Sequence, residues 1–286
     1  MTAPALPPRA AWLPLLERAL AEDVGSGDAT SLAVLPADAR CEAVIEARAP
    51  LVVCGLPVAE AVFEAVDPGL RTERARAEGS AAPAGTELLR VAGSARSVLA
   101  AERTALNFLA RLSGTASHTR RFVEAVAGTR AEIFDTRKTL PGWRVLDKYA
   151  VAVGGGRNHR FGLYDAILIK DNHIAAAGGV GAAVKAARTA TRTLVIQVEV
   201  ESEAQAAEAL EAGARLLLLD NRTPAELRRL VERFGGEAVL EASGGVTLAN
   251  VREIAETGAQ RISIGALTHS APAADVALEV RARRGG

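Results

Sequence analysis

Short apolar runs alternate with amphipathic segments through the second half of the chain. Six runs have the length and composition of β-strands, at residues 131–136, 165–170, 194–200, 215–220, 238–243 and 261–265. The segments between them carry the start and stop signals of helices. Repeated strand–helix–strand units of this length predict parallel strands joined by right-handed crossovers.

The segment TPAELRRLVERFG, residues 223–235, shows the helix signals most clearly. Thr223 can cap the helix, Pro224 suits its first position, and Glu226 completes a capping box. The apolar stripe of this helix consists of Leu227, Leu230, Val231 and Phe234. The segment 202–213 repeats the pattern, with Ser202 as its cap.

Polar or glycine residues close every one of the six predicted strands. They are Asp135, Lys170, Glu199, Asp220, Ser243 and Gly265. In a (β/α) barrel the carboxyl ends of the strands form one rim, and active sites lie on that rim. An open doubly wound sheet would concentrate such residues at a single switch point. The spread over six strands therefore favours an α/β fold with a barrel of six or seven strands.

The first part of the chain has a different pattern. Residues 41–55 and 86–93 are predicted strands and 57–66 a helix, followed by a long helical stretch, 97–128, with Ser113 and Gly114 as its candidate break. We therefore predict an N-terminal α+β domain over 1–113, joined by the C-terminal segment 270–286, and a catalytic barrel domain over 114–269.

Composition excludes several classes of protein. The chain has 34 basic and 34 acidic residues, which argues against a nucleic-acid binder that depends on overall positive charge. Its two cysteines form no CxxC motif and its four histidines have no metal-site spacing, so a structural zinc site is not expected. The sequence shows neither a signal peptide nor a membrane-spanning apolar stretch, so we expect a soluble cytoplasmic protein that does not contact membranes.

Positive charge is concentrated locally although the chain as a whole is neutral. From Arg137 to His173 there are seven Lys or Arg residues against three acidic ones. Guanidinium groups match carboxylate and phosphate oxygens with two parallel hydrogen bonds, and a lysine supplies a movable point charge. A solvated charged loop is the alternative for any one of these residues, but Lys170 ends an apolar strand. The segment predicts a ligand with several anionic groups.

Two carboxylates and two glycine-containing loops occupy the other strand ends. Glu199 and Asp220 each end an apolar strand, and paired carboxylates beside a phosphate-bearing ligand commonly hold Mg²⁺. The alternative is that one of them, above all Asp220, caps the helix that follows. The stretches ASGGV (242–246) and ISIGAL (262–267) follow the last two strands, where barrel enzymes usually bind phosphate. Ordinary strand–helix turns are the alternative for these glycines.

Several long motifs resemble those of the quinolinate phosphoribosyltransferase family, the carboxylating nicotinate-nucleotide pyrophosphorylases. They are EDVGSGDATS (22–31), AERTALNFLARLSGTAS (101–117), DTRKTLPGWRVLDKYAVAVGGGRNHRFGLYDAILIKDNH (135–173), VEVES (198–202), LLLDN (217–221) and EASGGV (241–246). The resemblance runs from about residue 20 to 270. It implies an N-terminal α/β domain, an incomplete α/β barrel, and an enzyme that makes nicotinate mononucleotide, CO₂ and pyrophosphate from quinolinate and phosphoribosyl pyrophosphate with Mg²⁺, in the synthesis of NAD.

The resemblance also implies how the acceptor substrate is held. The two quinolinate carboxylates would be bound by Arg137, His159, Arg160 and Lys170. Arg103 would join them from the partner subunit, because the family acts as homodimers or larger assemblies of dimers.

The phosphoribosyl substrate would be held at the remaining strand ends. Lys138 would contact this substrate, and Glu199 and Asp220 would hold its ribose and the Mg²⁺-pyrophosphate group. Its 5′-phosphate would be bound by Ser243, Gly244 and Gly265.

Two other functions are compatible with parts of this pattern. One is a related phosphoribosyltransferase-fold protein that takes another acceptor, such as the molybdenum-transport-associated relatives. The other is a barrel without catalytic activity that senses a phosphorylated ligand. The complete set of Lys138, Glu199 and Asp220 argues against the sensor.

Overall fold

The structure is a computed structural model that describes residues 4–281. It separates into two compact units, and we call Met1–Arg120, Thr139–Gly155 and Leu267–Gly286 the first unit, and Arg121–Lys138 and Gly156–Ala266 the second unit. Residues 139–155, which fall within the predicted barrel domain, cluster with the first unit. Residues 1–3 and 282–286, at the ends of the predicted N-terminal domain and of its C-terminal segment, lie outside the described residues.

Both units contain helices and strands. A short 3₁₀ helix, Arg9–Ala11, precedes the helices α1 Leu13–Asp23, α2 Ala29–Val34, α3 Leu56–Val66, α4 Ala95–Ala125, α5 Arg144–Val153, α6 Asp171–Ala177, α7 Val180–Ala190, α8 Glu203–Glu211, α9 Pro224–Phe234, α10 Val251–Ala255 and α11 Ala266–His269. The strands are β1 Arg40–Ala47, β2 Leu51–Val52, β3 Arg71–Arg74, β4 Ala81–Ala82, β5 Glu87–Ser94, β6 Glu132–Phe134, β7 Ile167–Ile169, β8 Ile196–Glu199, β9 Leu216–Asp220, β10 Val239–Ser243, β11 Arg261–Ser263 and β12 Val276–Arg281.

The first unit is built on an antiparallel sheet with the strand order β12-β1-β5-β3. Ala43, Ile45 and Ala47 alternate along β1 and enter one hydrophobic core with residues of α3 and α4. The predicted strand 41–55 is divided into β1 and β2. The C-terminal strand β12 pairs with β1 along its whole length.

The predicted break in the long helix is wrong, because α4 runs without interruption through Ser113 and Gly114. Ser113 is buried, and its hydroxyl accepts a hydrogen bond from the Cys54 N–H and donates one to the Cys54 carbonyl. A Cβ atom at Gly114 would lie 2.1 Å from the carbonyl oxygen of Pro272. Both residues therefore serve close packing within the first unit.

The second unit contains six parallel strands in the order β6-β11-β10-β9-β8-β7. Each of the six predicted apolar runs contains one of these strands. Arg157 adds an isolated parallel bridge to Phe134 on the outer edge of β6. The sheet is an unclosed (β/α) barrel, so the predicted fold class is confirmed.

The helices of the second unit begin where their sequence signals place them. The Thr223 hydroxyl accepts a hydrogen bond from the Glu226 N–H, and the Glu226 carboxylate accepts one from the Thr223 N–H, so the capping box of α9 is present. Ser202 caps α8 through the Gln205 N–H. Among residues 4–281, no helix has the length and apolar character needed to span a membrane.

Candidate active site

A polar cavity lies at the carboxyl ends of the parallel strands of the second unit. Its volume is about 380 Å³. The residues that line it are Thr136, Arg137, Lys138, His159, Arg160, Leu168, Lys170, Glu199, Leu218, Asp220, Glu241, Ser243 and Ser263. The rim of a (β/α) barrel is the expected place for a site, because all strands deliver their last side chains and following loops to it.

Four cationic side chains gather in this cavity: Arg137, Lys138, Arg160 and Lys170. Burial lowers the pKa of the Arg160 guanidinium, and the nearby positive charge of Arg137 lowers it further, against the opposing effect of Asp165. One guanidinium nitrogen of Arg160 donates to the Ala166 carbonyl at 3.1 Å, which ties the side chain to the start of β7. The positive charges of Arg137 and Arg160 repel each other, and an anionic ligand would relieve this repulsion.

The remaining basic residues of the segment 137–173 are not among those that line this cavity. Arg144 and Lys148 lie on α5 in the first unit. The guanidinium of Arg157 pairs with Glu132 at 2.9 Å, and both side chains are largely exposed. The His173 ring accepts a hydrogen bond from the Lys170 N–H at 3.0 Å and so caps α6. The cations that line this cavity are therefore fewer than the charge count of the sequence indicates.

The two predicted carboxylates face the cavity from neighbouring strands. Glu199 accepts a hydrogen bond from the Lys170 ammonium group at 2.8 Å. Asp220 accepts one from the side-chain amide of Asn221 at 2.7 Å. The helices that follow are capped by Ser202 and Thr223. The alternative that Glu199 or Asp220 acts as a helix cap is therefore wrong.

The loops after β9 and β10 contact each other beside the cavity. The Asn221 N–H donates to the Ser243 carbonyl at 2.8 Å, and Asn221 itself has a positive φ of 52°. Gly244 has a φ of +89°, and a Cβ atom there would lie 2.2 Å from the side-chain oxygen of Asn221 and 2.8 Å from its backbone nitrogen. Only glycine fits this close approach without strain. Gly244 adjoins the cavity-lining Ser243, and Gly265 follows β11 by two residues.

Sequence reasoning missed a buried polar network in the wall of the cavity. Glu241 and Gln197 are buried although each lies inside an apolar strand. One ring nitrogen of His159, Nε2, lies 2.8 Å from the Gln197 side-chain oxygen and 3.5 Å from Glu241 Oε1. The Ser263 hydroxyl donates to the same Glu241 oxygen. The signal in the sequence is a charged or amide side chain in the middle of an otherwise apolar run, in VIQVEV and AVLEAS.

The last predicted site residue, Arg103, belongs to the first unit. It lies on α4 with 62% of its side chain exposed, and its neighbour Glu102 is 4.0 Å away. The structure contains one copy of the chain, so the predicted role of Arg103 across subunits stays a prediction.

The fold and the cavity define a class of protein, a (β/α) barrel with a cation-lined cavity at its strand ends. The chain belongs to the quinolinate phosphoribosyltransferase family: the model of the N-terminal domain matches residues 28–113 and that of the C-terminal domain matches residues 115–279.

Curated relatives and solved structures agree with this assignment. The chain is 40% identical to the chloroplastic nicotinate-nucleotide pyrophosphorylase [carboxylating] of Arabidopsis thaliana, over 93% of this chain and 82% of the relative. It is also 40% identical to a probable enzyme of the same name from Bacillus subtilis (strain 168), over 93% of this chain and 92% of the relative. The structure of the nicotinate-nucleotide pyrophosphorylase from Francisella tularensis superimposes with a TM-score of 0.93 at 37% identity and covers 96% of this chain and 97% of the other.

Proposed function

We propose that this protein transfers the phosphoribosyl group of phosphoribosyl pyrophosphate to quinolinate, with loss of CO₂, and releases nicotinate mononucleotide and pyrophosphate. This is the activity of a carboxylating nicotinate-nucleotide pyrophosphorylase, and it supplies the synthesis of NAD. The observation that carries the proposal is the cavity of the second unit, where four cations and two strand-end carboxylates meet in a member of this family.

The cationic wall suits quinolinate. This substrate is a pyridine with two neighbouring carboxylates, so a planar guanidinium on each and a mobile ammonium between them match its charge. We assign this role to Arg137, Arg160 and Lys170, with His159 in the same wall. Binding of a dianion beside the phosphorylated substrate needs such a lining, because the two ligands repel each other.

The other strand ends at the cavity suit phosphoribosyl pyrophosphate. Lys138 contacts its phosphates in this proposal, and Glu199 and Asp220 hold the ribose. Ser243, Gly244 and Gly265 bind the 5′-phosphate through the backbone and the serine hydroxyl. The ion pair of Lys170 with Glu199 joins the two substrate regions.

The donor set also suits Mg²⁺. Within residues 4–281, His, Cys, Asp and Glu side chains form no group of three that could hold a metal ion by themselves. Glu199 and Asp220 fit a cation that takes one or two carboxylates and completes its shell with substrate oxygens and water. When bound there, Mg²⁺ neutralises charge on the departing pyrophosphate.

The chemistry requires placed charge more than a protein nucleophile. The pyridine nitrogen of quinolinate attacks C1′ while the bond from C1′ to pyrophosphate breaks, and positive charge develops on the ribose. The carboxylates of Glu199 and Asp220 stabilise that charge. The bond from C2 to its carboxylate then breaks, the ring nitrogen stabilises the electron pair left at C2, and a proton from water replaces CO₂.

We further propose that the active enzyme is a homodimer or an assembly of dimers. Arg103 is the residue that would complete the quinolinate site of the neighbouring copy, and its exposure on α4 suits that role. Mixing the inactive variants Arg103→Ala and Lys138→Ala should restore activity, because a mixed dimer contains one intact site. No recovery after exchange of subunits would contradict a shared site. We also propose a cytoplasmic location.

Initial rates with two acceptors test the activity. Pyrophosphate release from phosphoribosyl pyrophosphate and Mg²⁺ should occur with quinolinate and not with nicotinate, which lacks the second carboxylate. Lys138→Ala should abolish the reaction, and Lys185→Ala, a change of an exposed lysine on α7, should leave it unchanged. Turnover of another acceptor, or binding of phosphoribosyl pyrophosphate without any turnover, would contradict the proposal.

A further inference from the structure

The imidazole of His159 is held by the protein at both ring nitrogens. Its Nδ1 accepts a hydrogen bond from the Arg160 N–H at 2.8 Å. A nitrogen that accepts carries no proton, so the proton of the neutral ring lies on Nε2. Nε2 faces the side-chain oxygen of Gln197 at 2.8 Å and Oε1 of Glu241 at 3.5 Å.

The main chain at His159 is fixed from a third side. The His159 N–H donates to the carboxylate of Asp135 at 2.7 Å, and Asp135 is fully buried at the end of β6. The residue is therefore connected to β6, β8 and β10 at once. Arg160, which follows it, reaches the cavity from a backbone that this network holds in place.

Glu241 is the charged member of the network. Its side chain has no exposed surface. Two groups meet its Oε1: the Ser263 hydroxyl donates a hydrogen bond to it, and His159 Nε2 lies 3.5 Å away. A buried carboxylate is costly unless hydrogen-bond donors compensate it, and here both contacts fall on Oε1, because Oε2 is buried and has no hydrogen-bond partner among the described residues. Because an ionised carboxylate accepts and cannot donate, it requires a proton on the nitrogen that faces it.

We propose that Glu241 is a positioning residue for the quinolinate site. Its carboxylate, held by Ser263, acts together with the Gln197 side-chain oxygen to keep His159 in the Nε2–H form, and Nδ1 of that form holds the Arg160 backbone so that its guanidinium lies in the cavity. This role rests on the proposed function, and it makes Glu241 and His159, in the wall of the cavity, responsible for arranging the acceptor site.

The variant Glu241→Gln removes the charge and keeps the shape of the side chain. A glutamine amide can donate to Nε2 and so permits the Nδ1–H form, which cannot accept from the Arg160 N–H. We expect the KM for quinolinate to rise about tenfold, as for the loss of one hydrogen bond to a charged group. The KM for phosphoribosyl pyrophosphate should stay unchanged. Glu237→Gln, an exposed glutamate shortly before β10, is the matched control and should have no effect.

A double-mutant cycle separates positioning from a general loss of structure. An asparagine at this position is too short to contact Glu241, but its side-chain oxygen can still accept a hydrogen bond from the Arg160 N–H, so His159→Asn removes only the first contact. If Glu241 acts through His159, Glu241→Gln should have little further effect on the quinolinate KM in the His159→Asn background. Full additivity of the two changes would overturn the proposal.

The protonation state can be measured without any turnover. The chain has four histidines, so ¹⁵N-histidine spectra of the intact protein are simple, and His159→Asn identifies the signal by difference. The wild-type protein at neutral pH should show the Nε2–H form at His159. An imidazolium ring or the Nδ1–H form would overturn the proposal, even if Glu241→Gln failed to fold. Absence of quinolinate turnover in the wild type would contradict the proposed function, and this spectrum would still test the Nε2–H form on which the role of Glu241 depends.

Discussion

Replacing Arg160 with lysine changes a planar fork into a point charge at the same place in the cavity. The guanidinium is half-buried, lines the cavity and is tied to the Ala166 carbonyl at 3.1 Å, so its orientation is fixed. Lysine keeps the positive charge but loses the tether and one of two parallel hydrogen bonds to a carboxylate. A hydrogen bond to a charged group contributes about 1.5–3 kcal/mol. The KM for quinolinate should therefore rise about ten- to a hundredfold, since each 1.4 kcal/mol is a factor of about ten.

Steady-state initial rates measure this effect. Quinolinate is varied at saturating phosphoribosyl pyrophosphate, and phosphoribosyl pyrophosphate is varied at saturating quinolinate. Arg157→Lys is the matched control, because its guanidinium pairs with Glu132 on the surface and surface pairs contribute about 0–1 kcal/mol. The control should leave both KM values unchanged. An unchanged quinolinate KM in Arg160→Lys, or equal rises for both substrates, would refute the assignment of Arg160 to the acceptor.

Two further substitutions and one labelling experiment test a loop, a helix start and the core. Gly244→Ala places a Cβ atom against Asn221 at a residue with positive φ. The change should raise the KM for phosphoribosyl pyrophosphate and leave the KM for quinolinate nearly unchanged. A rise in the quinolinate KM alone would contradict a phosphate-binding loop. Thr223→Ala should lower the free energy of unfolding by about 1 kcal/mol in chemical denaturation, as expected for a lost helix cap. Hydrogen bonds from Thr223 lower the pKa of Glu226, so they stabilise the folded protein at pH values above 4.5, the usual pKa of a glutamate. This stabilisation is lost as the pH falls through the lowered pKa. Thr223→Ala should therefore lose less stability than the wild type when the pH is lowered. Burial raises the pKa of the Cys54 thiol well above its usual value, so Cys54 should resist alkylation in the native protein and react only after unfolding; rapid labelling of the native protein would contradict its burial.

The barrel could be predicted well from the sequence because buried parallel strands are continuous apolar runs. Each run ends in a polar or glycine residue, and the strand ends of a barrel meet at one rim, so the pattern of residues alone selects much of the cavity lining. Lys170, Glu199 and Asp220 were found in this way, and they all line the cavity. The strand β3 was missed because its residues, RTER, are polar and largely exposed, with no alternation of apolar and polar positions.

Other features depend on contacts that a one-dimensional pattern does not contain. Glu241 lies in the middle of an apolar strand, and only the pairing of β10 with its neighbours and the position of His159 give its carboxylate a role. Glycine often interrupts helices, so the sequence predicts a break at Gly114. Only the structure shows that a side chain there would collide with the Pro272 carbonyl oxygen. The charge count over 137–173 did not separate the cations that line the cavity from Arg157, which pairs with Glu132.

The release of CO₂ from quinolinate labelled in its 2-carboxylate tests the central claim most directly. With phosphoribosyl pyrophosphate and Mg²⁺ present, labelled CO₂ and pyrophosphate should appear in equal molar amounts, and neither should form when phosphoribosyl pyrophosphate is left out. Pyrophosphate without labelled CO₂ would show that the chain transfers the phosphoribosyl group but does not decarboxylate the acceptor. The absence of both products would contradict the proposed function altogether.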